Sequence, residues 1–193
     1  MKQLVIILTT YIFFSGPIYA QTLQAGYYNA YDVSIVPRGN FYTGYFEASG
    51  GQKGHGYSCK FFFLLKNNKV YSCNDSNYCC NEVLGNYTIT KNNEFTMTLN
   101  TYIPGEIRFE YTFTKPNRFL LDDKKNWIDI RVVKAKKSYL FSSDDTMSKR
   151  KGYVIEGNVL KVLKKNKNWL YIEYINIDSD NTLFAWVKAD DCY

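Results

Sequence analysis

His55 is the single histidine of the chain, and it stands four residues before Cys59. An imidazole near a sulfur is the beginning of a cysteine peptidase, which needs a thiolate and ordinarily a third group to orient the ring. Here His55 belongs to the glycine-rich stretch Gly50-Gly51-Gln52-Lys53-Gly54-His55-Gly56, and Cys59 is more useful as half of a disulfide. A serine triad would have to draw on the same His55, and no G-x-S-x-G elbow is present. His55, Cys59, Cys79 and Cys80 would make a zinc ligand set, but the paired C-x-x-C spacings that mark such sites are missing. Glu47, Glu82, Glu94, Glu106, Glu110 and Glu173 could supply the two carboxylates, ~5 to 10 Å apart, of a glycosidase. Nothing in their order brings two of them together. Asp122-Asp123 and Asp178-Ser179-Asp180 lack the Gly and terminal Glu of a calcium loop and read as polar turns. The glycine-rich stretch is no phosphate cradle, because no Lys-Ser/Thr pair comes after it and the next segment reads as a strand. No catalytic residue, metal or cofactor is expected.

The aromatic residues are the other chemical resource: 18 Tyr, 13 Phe and 3 Trp in 193 residues. Tyr27, Tyr28, Tyr31, Tyr42, Tyr45 and Tyr57 exceed what a small core must bury. Their broad faces and hydroxyls suit sugar rings or protein epitopes. The competing reading, favoured here, is that they fill cross-strand positions on sheets.

These residues must be positioned by strands. The chain is 46% apolar with 12 Gly and 4 Pro, which excludes collagen-like, low-complexity and disordered classes. Alternation and turn signals recur about every ten residues, the rhythm of an all-β protein. Strands are expected at Tyr31–Val36, Phe41–Glu47, Tyr57–Leu65, Lys69–Cys73, Val83–Thr90, Glu94–Leu99 and Glu106–Phe113. Turns are expected at Pro37-Arg38-Gly39-Asn40, Lys66-Asn67-Asn68-Lys69, Asn92-Asn93 and Pro104-Gly105. No twelve-residue segment carries a helical stripe. A mobile loop is expected over Gly50 to Gly56.

The N-terminus reads as an export signal: Met1-Lys2, an apolar run from Leu4 to Phe14, Gly16-Pro17, then Ile18-Tyr19-Ala20 with cleavage after Ala20. The run is shorter than a spanning helix needs, so no transmembrane anchor is expected after cleavage. No cysteine near Ala20 indicates a lipid anchor. The formal charge of +6 falls to +5 without Lys2, too little for a nucleic-acid footprint. The clusters Lys134/Lys136/Lys137, Lys149-Arg150-Lys151 and Lys164/Lys165/Lys167 read first as solvated loop charges that discourage edge pairing.

An exported chain favours disulfides. With the hairpin turn centred between Asn67 and Asn68, Cys59 comes opposite Ser76, so Cys79 or Cys80 can reach it. Cys59 with Cys80 and Cys73 with Cys79 is the favoured pairing; Cys192 is the odd thiol, free or open to an intermolecular bond.

A second rhythm begins at Trp127. The run Trp127 to Val133 is succeeded by Ser138-Tyr139-Leu140-Phe141, the polar loop Ser142-Ser143-Asp144-Asp145, and Gly152 to Gly157. Then come Val159 to Leu163, Trp169-Leu170-Tyr171-Ile172 and Phe184-Ala185-Trp186-Val187. This order resembles a bacterial SH3-like (SH3b) domain across residues 128 to 193. Ala185 replaces the usual Gly before the Trp, and Phe141-Ser142-Ser143 replaces the usual Asn-Val-Arg. Trp169 and Trp186, on consecutive strands, are expected to cover opposite parts of a small closed barrel. More loosely, the pieces Gly26-Tyr27-Tyr28, Thr43 to Glu47, Ser58 to Phe62 and Asn126 to Arg131 resemble small exported bacterial proteins that carry such a tail. Those proteins have a later cysteine near residues 100 to 113 that this chain lacks, which leaves the partner of Cys59 open.

The expectation is therefore all-β, with a signal peptide at 1–20, a disulfide-stapled antiparallel β unit at 21–126 and an SH3-like barrel at 127–193. The resemblance implies a periplasmic or secreted non-enzymatic protein that contacts a cell-wall peptide or an envelope protein. Tyr139, Phe141, Trp169, Tyr171 and Trp186 are the expected contacts, with Lys164, Lys165 and Lys167 near the rim. The alternatives are an immunity or inhibitor protein that binds a toxin or hydrolase through the Gly50–Gly56 loop, and a carboxylate enzyme acting on wall material.

Overall fold

The computed structural model describes residues 21–29, 32–50, 57–73, 82–100, 113–176 and 181–193. The protein is all-β. Eight strands, β1 (Gly26–Tyr28), β2 (Val33–Arg38), β3 (Phe41–Gly50), β4 (Tyr57–Lys66), β5 (Lys69–Cys73), β6 (Glu82–Lys91), β7 (Glu94–Leu99) and β8 (Asn117–Lys124), form a closed antiparallel barrel in sequential order. Six more, β9 (Asp129–Val132), β10 (Lys137–Phe141), β11 (Lys149–Ile155), β12 (Val159–Asn166), β13 (Trp169–Asn176) and β14 (Asn181–Lys188), form an antiparallel sheet in the order β11-β10-β14-β13-β12-β9. Single 3-10 turns at Thr146–Ser148 and Ala189–Asp191 are the only helical pieces among the described residues.

Local chemistry explains the hairpins. Asn67 and Asn68 adopt φ of 50° and 60° between paired Lys66 and Lys69. Two consecutive left-handed residues make the tight turn whose twist matches the flanking strands. The turn at residues 37–40 is narrower than its sequence suggests. Pro37 and Arg38 remain in β2, and only Gly39 and Asn40 span the bend. Pro37 is tolerated because β1 pairs with β2 only as far as Ile35, so no partner needs the missing N–H.

Eight strands enclose a lumen that side chains can fill. Tyr28, Phe46, Phe63, Phe95, Phe113 and Phe119 fill it, with Val33, Ile35, Leu65 and Met97 between them. Phe95 stacks on Phe119 at 4.9 Å, and Phe113 meets Phe46 edge-on at 5.0 Å. Gly44 lies directly opposite Phe63, and a Cβ there would collide with the Phe63 ring. Tyr28 Oη donates to the carbonyl of Gln24 at 3.0 Å, and burial pushes its phenol well above the ordinary range.

Two expectations are corrected, and a third lies outside the described residues. Asp122-Asp123 is not a turn but part of β8, the strand that closes the barrel against β1. The strand expected at Glu106–Phe113 lies outside the described residues except for Phe113, which sits in a turn with its ring in the barrel core. Trp169 and Trp186 do not cover opposite parts of a core. Trp169 faces Lys188, Tyr171 faces Trp186, and alternation puts both tryptophans on one outer face. The core of the second sheet is aliphatic instead: Leu140, Val154, Leu160, Val162, Leu170, Ile172, Ala185 and Val187.

Candidate functional site

The outer face of the second sheet has two halves. Near β9 and β12 it is covered by the barrel. Ile130, Val132 and Trp127 pack there with Tyr27, Val36, Tyr45 and Phe62 in one apolar cluster. Tyr27 meets Trp127 edge-on at 4.6 Å. Arg38 of β2 reaches Asp129 of β9 at 2.8 Å, and Arg131 shares the same carboxylate oxygen at 2.6 Å.

A charged pair is enclosed in this contact. Glu173 is buried and accepts the indole N–H of Trp127 at 2.8 Å. Lys161, opposite it on β12, is only 8% exposed. The Lys161 ammonium lies 4.9 Å from the Tyr45 ring centre and 5.6 Å from that of Trp127. Loss of water outweighs the attraction of Glu47 and Glu173 and lowers the Lys161 pKa to about 7.

The other half of the face is open. An antiparallel sheet with one face on a core ordinarily presents polar residues on the second. Here Tyr139 and Phe141 on β10 continue through Trp186 on β14 to Tyr171 and Trp169 on β13. Trp186 pairs with both Phe141 and Tyr171, and Tyr171 and Trp186 pack at 5.3 Å. Phe141 meets Trp169 edge-on at 4.8 Å. Tyr153 on β11 and Phe184 on β14 extend the strip at either end. The five aromatic residues singled out in the sequence thus share one surface, but in unequal roles. Tyr139 is 41% exposed, Trp169, Tyr171 and Trp186 are half-buried, and Phe141 at 5% forms the floor.

Lysines sit on this strip. Lys149 lies 3.2 Å from the Tyr139 ring centre, Lys137 lies 4.7 Å from that of Tyr153, and Lys164 lies 5.9 Å from that of Trp186. The loop charges of the sequence are therefore partly ring-bound cations, an attraction to the negative face of each ring. Sequence reasoning places Lys164, Lys165 and Lys167 at the rim and does not connect Lys137 or Lys149 to it. A β-strand alternation traced through residues 137, 139 and 141 is the signal that would find Lys137.

A cleft of about 360 Å³ opens beside the strip. Lys137, Tyr139 and Phe141 of β10 line one side, with Lys149 at the start of β11 and Lys188 at the end of β14. Thr146 and Asp191, from the two 3-10 turns, complete it. Three hydrogen bonds from two side chains hold the surrounding loop. Arg150 bonds Ser142 Oγ and the carbonyl of Phe184, each at 3.0 Å, and Asn166 donates to Asp144. Asp145 caps the first 3-10 turn by accepting the Met147 N–H at 3.0 Å.

The remaining tyrosines and the cysteines have different settings. Tyr28 and Tyr42 belong to the barrel interior and Tyr27 and Tyr45 to the contact between the two sheets, so these four serve packing. Tyr31 and the Tyr57 side chain lie outside the described residues. So do the leader at 1–20, His55 with residues 51–56, Pro104-Gly105, Asp178 to Asp180, and Cys79 and Cys80; the side chains of Cys59 and Cys73 are likewise not described. Hydrogen-bonded register from Phe62 opposite Cys73 to Lys66 opposite Lys69 keeps the turn centred between Asn67 and Asn68. Cys192 is a free, buried thiol whose pKa is pushed up to about 12 by burial. Among the described residues, no three His, Cys, Asp or Glu side chains gather as a metal site requires, and no helix is long and apolar enough to cross a membrane.

Comparison with known proteins returns no match: no family model, no curated protein and no solved structure is similar to this chain.

Proposed function

We propose that this is an exported, non-enzymatic binding protein whose second sheet, an SH3-like module, holds cell-wall peptidoglycan outside the cytosol. One observation carries the reading: half of the outer sheet face is an aromatic strip edged with lysines, while the other half is sealed by the barrel. Flat aromatic rings accept the apolar faces of sugar rings. Ammonium groups accept the carboxylates of wall peptides, a pairing strengthened by charge on both sides. A polymer carrying amino sugars and acidic peptides meets both demands at once. The order of sequence elements across residues 128 to 193, with Trp169 and Trp186 on adjacent strands, supports the SH3-like assignment, although the six strands form a sheet where a small closed barrel was expected. The apolar run from Leu4 to Phe14 before Ala20 supports export. The barrel, packed on the adjoining half of the face, gives the sheet a fixed platform.

The test is co-sedimentation with purified sacculi. Wild-type protein should pellet with the wall. Trp186→Ala and Tyr171→Ala, with folding checked by near-ultraviolet circular dichroism, should stay largely in the supernatant. A wild type that remains wholly in the supernatant, or variants that pellet unchanged, overturns the proposal.

A further inference from the structure

We infer that the cleft beside the aromatic strip is a carboxylate subsite, which holds a free carboxylate of the wall peptide; this rests on reading the strip as a wall-binding surface. Three lysines line the cleft from three strands: Lys137 of β10, Lys149 of β11 and Lys188 of β14. Among the described residues none of the three has an ion-pair partner; Lys137 and Lys149 are instead held over the Tyr153 and Tyr139 rings. A ring steadies an ammonium by its face and leaves the outward N–H donors unspent. The one carboxylate in the cleft, Asp191, already accepts the Ser138 hydroxyl at 2.8 Å, so three positive groups face a single acidic one.

The remaining walls favour a small, partly apolar anion. Phe141, itself buried, supplies an apolar wall beside the three lysines. Thr146, on the neighbouring 3-10 turn, adds a hydroxyl donor. The volume of about 360 Å³ admits a carboxylate with the residue that carries it, while the strip leading away through Trp186 and Tyr171 receives the rest of the peptide and its sugar. The carboxylate end of a peptide fits this shape better than an extended polyanion, whose charges would run on over an aromatic surface.

The experiment titrates the whole mature protein with two soluble muropeptides that differ only in a free or an amidated terminal carboxylate. The free form should bind about tenfold more tightly, the usual scale of one charge-assisted bond. Lys149→Gln and Lys188→Gln should reduce affinity for the free form toward that of the amidated form and leave the amidated form unchanged. Lys149→Arg should retain the preference. Equal affinity for the two muropeptides, or a lysine effect that is the same for both, overturns the inference. If sacculi retain the wild type while the two muropeptides bind alike, the subsite alone falls; if sacculi retain nothing, the surface reading falls and takes the subsite with it.

Discussion

Replacing Lys161 by Met should remove a pH dependence of folding that the buried ammonium imposes. Lys161 is held at about 7 against an ordinary 10.5, because the folded protein disfavours its charge. Between those two values the unfolded chain binds the proton and the folded chain has released it. Stability therefore rises with pH in this window, by up to about 1.4 kcal/mol per pH unit. Below pH 7 both states carry the proton, and the full cost of burying the charge is felt. From pH 7.0 to 8.5 the wild type should gain about 1 to 2 kcal/mol from this residue. Above pH 9 the Cys192 thiol acts in the opposite direction. Its folded pKa is raised to about 12, so stability falls as the unfolded thiol ionises. Urea unfolding at half-unit steps from pH 6 to 9 reads the slope directly. The Lys161→Met curve should be flatter through 7.0 to 8.5 and should lie above the wild type at pH 6, since the Met side chain can rest against Tyr45 and Trp127 without a charge. Parallel curves for the two proteins would refute the claim that the ammonium is desolvated in this contact.

The geometry sets three further expected outcomes. Glu94 is held down to about 2 by hydrogen bonds from Arg118 and Thr90, at 2.7 and 2.6 Å. Its contribution is complete above the ordinary 4.5 and is lost as pH falls toward 2; the Glu94→Gln variant should show a shallower decline in acid-unfolding curves over that interval. Gly44→Ala forces the Phe63 ring out of its place in the barrel and should cost about 1 to 3 kcal/mol in denaturant unfolding, whereas an undisturbed midpoint would show that the ring has room. Phe184→Thr alters an exposed strand position and should change stability by no more than about 0.5 kcal/mol. The same variant should lower retention on sacculi, and the two readouts together separate binding from packing.

The sheet character was legible because alternation and turn residues are local signals. Asn67-Asn68 names its hairpin outright, and the six strands after Trp127 were all marked by apolar pairs or a Gly. β8 was not legible. Its sequence Asn-Arg-Phe-Leu-Leu-Asp-Asp-Lys places two acids where a turn is expected, and only the need to close against β1 makes it extended. The five aromatic residues that share the outer face could be picked out from residue type and order. Their unequal exposure could not, because Phe141 is covered by Trp169 and Trp186 from strands far along the chain. Lys161 was the most misleading residue. In Val159-Leu160-Lys161-Val162 it occupies the alternate position that faces water on a lone sheet, and the docked barrel turns that position into an interior.

Lys161 and Lys149 show how one sheet face serves two ends. Both lie against tyrosine or tryptophan rings, yet the barrel encloses the first and leaves the second in water. Enclosure makes Lys161 a cost to folding, which the surrounding apolar cluster of Tyr27, Trp127 and Ile130 offsets. Exposure leaves the Lys149 donors unspent, an arrangement that contributes little to stability and on which the proposed carboxylate subsite rests. Sealing the open half as well would have required only another apolar surface against Tyr139 and Phe184. The aliphatic core beneath is already complete without those rings. Aromatic residues retained on the outer face of a finished core are the surface on which the proposed wall contact rests.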